Sequence, residues 1–341
     1  MNVFYKILTS ILILFVLTNN TFSNTNIYSK NKQQKSDTSM ILDLSNRLIL
    51  WPYLITKKYN LNILNTKTRQ KLLISPNEQT NIGLGFNYKW LGFGIALKTP
   101  WINNDDNIYG KTERVDLQIN IFSRKFGVDF STQYYKGYYI SNPKDFLDWN
   151  KPEYPQLNDL ETFSMELSTY YFFNNNNFSY RAAFVRNEIQ KKSAGSAILG
   201  VYARLDATSH TNGFVPEDMP EYVQDSFNIL GFLSNNLGIS FGYAYTFVIK
   251  KHFFISLSLV PGLGVKTANI YTKTEDTYHP KSKASIRIIS RIALGYENRK
   301  FYAGIANIGI TNSFDARHIN ITSSTNKFRI YIGKRFNLHK K

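Results

Sequence analysis

The chain has 341 residues, a formal net charge of +17, no cysteine, 43% hydrophobic residues and a mean hydropathy of −0.30. It is too polar for a bundle of membrane helices and too apolar for a disordered chain. Without cysteine there are no disulfides, thiolate metal sites or cysteine nucleophiles.

In chain order, the first segment has Lys6 followed by the apolar stretch Ile7–Leu17 and then Thr21-Phe22-Ser23. This reads as a signal peptide over 1–23, too short to span a bilayer as a helix. Residues 24–45 read as a flexible periplasmic leader, and 46–341 as one barrel domain. No later apolar run approaches the length of a membrane helix. A membrane location therefore requires a closed barrel, because lipid leaves no partner for open sheet edges.

From about residue 47 one alternating segment follows another. Asn81–Lys98 (NIGLGFNYKWLGFGIALK) sets Ile82, Leu84, Phe86, Tyr88 and Trp90 against Asn81, Gly83, Gly85, Asn87 and Lys89. Period two predicts a β-hairpin. Further strands are predicted at 70–75, 113–122, 125–135, 160–173, 177–190, 196–207, 235–249, 252–266, 284–297, 300–311 and 326–336, with a hidden one at 221–233. Most are long enough to cross a bilayer at a tilt. Short turns alternate with long polar loops at 100–112, 136–159, 209–234, 267–283 and 312–325, the asymmetry of outer-membrane barrels. The expected fold is all-β, an antiparallel transmembrane barrel of about fourteen strands, within a range of 12–16 that an even count permits.

Parity predicts the faces. In 284–297, Ile286, Ile288, Ile292 and Leu294 alternate with Ser285, Arg287, Arg291 and Glu297. Large apolar residues on one side, with small or charged ones on the other, suit a lipid-facing exterior and a polar lumen. The predicted lumen lining is Lys89, Arg114, Asp116, Asp129, Glu166, Arg181, Arg204, Asp206, Arg287, Arg291, Glu297, Arg329 and Arg335. Such a lining is either a paired network filling the interior or a pore with a basic bias towards small anions. Aromatics beside the short turns, namely Trp90, Phe173, Phe178, Phe253, Tyr296 and Phe301, form the predicted interfacial girdle.

Metalloprotease, nucleophile-elbow and nucleotide-loop motifs are absent, and the five histidines are scattered. The weak pairing of His318 with Ser323 and Ser324 keeps a lipid-modifying enzyme only as a third alternative. No enzyme activity, cofactor or metal is expected. Expected contacts are outer-membrane lipid and lipopolysaccharide rather than nucleic acid.

The stretches NIGLGFNYKWLGFGIAL, NFSYRAAFVRNEIQKKSAGSAILG, LGISFGYAYTF, FFISLSLVPGLGV and RIALGYENRKFYAGI resemble domain-of-unknown-function family 4421 of Gram-negative outer-membrane proteins. The resemblance runs from about residue 40 to the C-terminus. It implies an outer-membrane barrel and transfers no catalytic residue. Within the QKKSAGS block, Gly195 between small residues suggests a close backbone approach. The resulting expectation is a channel or transport component. The alternative is a structural or secretion-assembly barrel with a plugged lumen.

Overall fold

The computed structural model describes residues 39–88, 91–99, 105–216, 219–273, 283–316 and 318–337. The predicted signal peptide, most of the leader, Lys89 and Trp90 lie outside the described residues. The side chain of Lys98 does too.

Fifteen strands are described: β1 (Ile41–Asp43), β2 (Leu48–Asn65), β3 (Lys71–Ser75), β4 (Thr80–Tyr88), β5 (Leu91–Lys98), β6 (Glu113–Phe122), β7 (Phe126–Ile140), β8 (Gln156–Phe172), β9 (Glu188–Gln190), β10 (Ala194–Ser209), β11 (Gly231–Ile249), β12 (Phe253–Tyr271), β13 (Lys283–Glu297), β14 (Phe301–Ala316) and β15 (Ile319–Phe336). Thirteen form one antiparallel sheet; β1 and β9 pair separately. The sheet closes on itself because β15 pairs with β2 along nearly its full length, from Ile319↔Asn65 to Phe336↔Leu48.

The ring contains ten strands: β2, β3, β7, β8 and β10–β15. The other three, β4, β5 and β6, branch from it. β3 and β4 both lie antiparallel to β2, in nearly the same register. Between the pairs Leu61↔Ile74 and Thr56↔Thr80, β2 advances five residues and its partner six. One extra residue is a bulge, so β3 and β4 are two parts of one crossing. β3 touches β7 only through Ile74↔Ile140 and Ser75↔Tyr139. Beyond that contact β4 carries β5 on its outer edge, and β7 carries β6. The wall therefore forks below the β3–β7 contact. Among the described residues no ladder joins β5 to β6.

This corrects the expected fourteen strands. Residues before the first expected strand at 70–75 form one long strand, β2, over Leu48–Asn65. Segment 177–190 is not a crossing; it turns inward as a helix, Tyr180–Phe184, followed by β9. Segment 221–233 is a helix, Glu221–Ser226, and the start of β11. The expected loop at 312–325 consists of the ends of β14 and β15, which pair up to Ala316↔Ile319.

The faces follow parity. Ile286, Ile288, Ile292 and Leu294 are exposed, while Ser285, Arg287, Ile289 and Arg291 are buried. Leu237, Ile239 and Phe241, the first two about two-thirds exposed, repeat this on β11. Apolar outside with charge inside inverts a soluble fold. It is stable where the surrounding solvent is hydrocarbon.

Candidate functional site

The interior has three levels. At the loop end, Tyr59, Leu61 and Ile63 of β2 meet Phe214, Val215, Val223, Phe227 and Ile229 from the β10–β11 connection. Those connection residues are fully or almost fully buried. The connection is thus folded into the mouth, where its apolar side chains find a core that water outside would not provide.

At the turn end, residues 178–190 cross the lumen between β8 and β10. Ser179 caps the short helix, its Oγ accepting from Ala182 N at 2.9 Å. Glu188 is completely buried. Arg124 Nε and Arg181 Nη1 each donate to its Oε1 at 3.1 Å, and Ser179 Oγ donates to Oε2. Arg186 holds a left-handed backbone, φ 71°. Its guanidinium donates to Tyr331 Oη on β15 at 2.7 Å and sits 3.9 Å over the Phe254 ring on β12. Its carbonyl accepts from Arg335 Nη2 at 2.9 Å, and Arg335 pairs with Glu297 on β13 at 3.1 Å. On another side, Asn87 Nδ2 of β4 donates to Val185 O at 3.1 Å. Tyr180 stacks on Phe172 of β8 at 4.7 Å. A segment bonded to the inner faces of β4, β8, β12 and β15 lies across the lumen. β1 extends this closure by pairing Asp43 with Glu188 and Ile41 with Gln190.

Between the two closures lies a charged zone. Glu166 receives Arg204 Nη1 at 3.0 Å and also binds Arg287. Asp206 receives Arg204 Nη2 at 2.6 Å and the Tyr59 hydroxyl at 3.2 Å. Arg291 binds Asp129. Asp116 receives Lys57 Nζ at 3.1 Å and Gln133 Nε2 at 2.9 Å. Arg114 Nη2 donates to Asn81 Oδ1 at 2.9 Å and Gln79 O at 3.1 Å. Arg329 stands over the Trp51 and Tyr53 rings, at 5.2 and 5.0 Å.

Eleven of the predicted lumen residues therefore come from the inner wall: Arg114, Asp116, Asp129, Glu166, Arg204, Asp206, Arg287, Arg291, Glu297, Arg329 and Arg335. Arg181 belongs to the crossing segment, not to a wall strand, because 177–190 leaves the sheet. Of the girdle candidates, Phe173, Phe253, Tyr296 and Phe301 are exposed beside the short turns, with Phe253 packed on Tyr296 at 5.3 Å. Phe178 is corrected: it is buried within the turn-end closure, for the same reason as Arg181.

Lys57, Lys266, Lys327, Arg186 and Glu188 are interior residues that sequence reasoning missed. Lys327 shares parity with Arg329 and Arg335, so that strand already carried its signal. Lys57 lies in β2, which is not among the expected strands. Nothing in the alternation of 177–190 distinguishes a strand from a segment buried on all sides.

A family model described as Domain of unknown function (DUF4421) matches residues 35–336. Among curated proteins there is no match. Similar solved structures include the outer membrane protease OmpT from Escherichia coli, 8% identical with a TM-score of 0.39, covering 86% of this chain and 98% of that one. The translocator domain of the autotransporter NalP from Neisseria meningitidis is 6% identical with a TM-score of 0.34, covering 84% and 88%. The Pseudomonas putida toluene transporter TodX is 6% identical with a TM-score of 0.28, covering 86% and 91%. At these scores no property is carried from them to this chain.

Proposed function

From the premise that the chain belongs to the DUF4421 family, which brings no activity with it, we propose that the protein is an outer-membrane barrel whose own chain keeps the lumen closed. Its role on this reading is structural, or that of a component in assembly or secretion, and not that of a passive pore. The observation that supports it is the crossing segment 178–190. Arg186 and Glu188 tie this segment to several sides of the ring through buried, charge-assisted bonds. Such bonds are costly to break singly, because each lost partner leaves a buried charge. The outer membrane is the address that suits an apolar exterior, a polar interior and exposed aromatics beside the short turns.

Planar-bilayer recording tests the reading. The intact protein is expected to give no steady current. A variant carrying Arg186→Ala and Glu188→Ala is expected to give frequent openings, since the crossing segment loses its side-chain ties to β15, β12 and the β6–β7 turn. A steady ohmic current from the intact protein would favour the channel reading instead.

A further inference from the structure

Closure at both mouths leaves the wall as the remaining route to the charged interior, and the wall has one unpaired seam. β5 pairs only with β4 and β6 only with β7, and no ladder joins β5 to β6 among the described residues. Both present apolar outer faces: Phe93, Ile95 and Leu97 on one, Val115, Leu117 and Ile119 on the other, all about half exposed or more. Their free N–H and C=O edges would stand in hydrocarbon, which offers them no partner. On the inner side Gly83 and Gly85 lie under the Trp51 and Tyr53 rings, and the inward positions of β5 nearer the seam are the small residues Gly94 and Ala96.

Directly behind it the charge is out of balance. Lys327 faces Lys57 in the β15–β2 register, and like charges directly opposite each other repel. Asp116, reaching across from β6, pairs with Lys57. Lys327 is 6% exposed and has no ion pair among the described residues. Arg329, two positions along, stands over the Trp51 and Tyr53 rings, and its Nε has no hydrogen-bond partner among the described residues. A buried excess of cations calls for an anion.

The geometry points to a lateral port for an anionic phospholipid: the phosphate enters between β5 and β6 towards Lys327 and Arg329, while the acyl chains stay in the bilayer against the apolar lips. This inference rests on the closed-lumen reading. The phosphate supplies the missing negative charge, and the headgroup's polar atoms supply partners for the free strand edges.

The test uses the full-length protein reconstituted in phosphatidylcholine vesicles containing a minor fraction of phosphatidylglycerol with a photoreactive headgroup. Peptide mapping then locates the label. Label is expected on the inward residue Gln118 of β6, whose amide nitrogen is buried. It is expected to fall about tenfold in Lys327→Gln and in Arg329→Gln, the loss of one charge-assisted contact. The native chain has no cysteine, so Ile95→Cys with Ile119→Cys provides a clean lock. The flanking registers bring these two residues to about the same depth on the outer face. Oxidation of that pair is expected to abolish inner labelling, and reduction to restore it. Label confined to outward residues, equal inner labelling by a phosphatidylcholine probe, or undiminished labelling of the oxidised pair would each overturn the port. Full displacement by inorganic phosphate would reduce it to an ion site and overturn it as a lipid port. Recording current from the same preparation separates the two readings. A silent barrel without inner label loses only the port, whereas a conducting barrel loses the closed lumen.

Discussion

Glu166 shows what single residues contribute to this interior. Its carboxylate lies between Arg204 and Arg287, and all three are buried. Removing the negative charge leaves Arg287 buried without a carboxylate partner among the described residues and Arg204 with Asp206 alone. Glu166→Gln should therefore cost about 3–5 kcal/mol, the usual loss when one partner of a buried pair is removed. Denaturant titration of the folded barrel in detergent measures it. Adding Arg287→Met should recover part of the loss, because the surplus charge goes with it. Arg186 raises a different question, since side chain and backbone pull against each other there. A non-glycine residue at φ 71° is strained, and the Tyr331 and Phe254 contacts offset that strain. Arg186→Ala loses the contacts and keeps the strain, whereas Arg186→Gly loses both. Gly should accordingly be less damaging than Ala, by about 1 kcal/mol. Hydrogen-exchange protection of residues 178–190 reports the difference. Equal protection in the two variants would show that the left-handed backbone is no burden.

At the scale of elements, the pairing of β2 with β4 depends on absent side chains. A Cβ at Gly85 would lie 2.3 Å from the Trp51 ring, and one at Gly83 2.2 Å from Tyr53. Two aromatic rings therefore lie flat on a glycine floor, stacked 4.6 Å apart. Arg329 covers them from the lumen side. Gly85→Val should displace Trp51 and cost about 1–3 kcal/mol through overpacking. A change in tryptophan fluorescence accompanying a lower denaturation midpoint would register it. An unchanged spectrum would mean that the ring has room to move. The same reasoning explains Gly195 in the QKKSAGS block, where a Cβ would come within 2.7 Å of the Ala244 carbonyl. The turn-end segment depends on this neighbourhood. Ser193 Oγ accepts from Val248 N at 2.9 Å, and Gln190 Nε2 donates to Asn177 O at 2.6 Å.

For the whole molecule, closure by β15 on β2 makes the ring cooperative. No strand end in the ten-membered ring is free to peel, and the interior is filled from both mouths. The folded protein should resist detergent at room temperature and run as a compact, faster band when unboiled. Boiling should convert it to the slower, extended form. A single band position with and without boiling would contradict a closed barrel. A double charge reversal within one pair, such as Glu297→Lys with Arg335→Glu, should preserve the fast band better than either single change, because the pair is retained.

Alternation alone determined the strands and their two faces, with Ile286, Leu237 and their like turned outward and Arg287, Arg204 and Glu166 turned in. Period two is a local property, and each strand states its own faces. The basic bias of the interior was legible for the same reason. The strand count, the fork at β3–β7 and the fate of 177–190 were not. Each depends on partners distant in sequence. Whether β4 and β7 meet or part is decided by the registers on both flanks. Whether Phe178 and Arg181 lie in a girdle or across the lumen is decided by Glu188 finding Arg124 and by Arg186 finding Tyr331. An alternating segment buried on every side has the same pattern as one buried on a single face. Only tertiary contacts decide whether the barrel is open or closed.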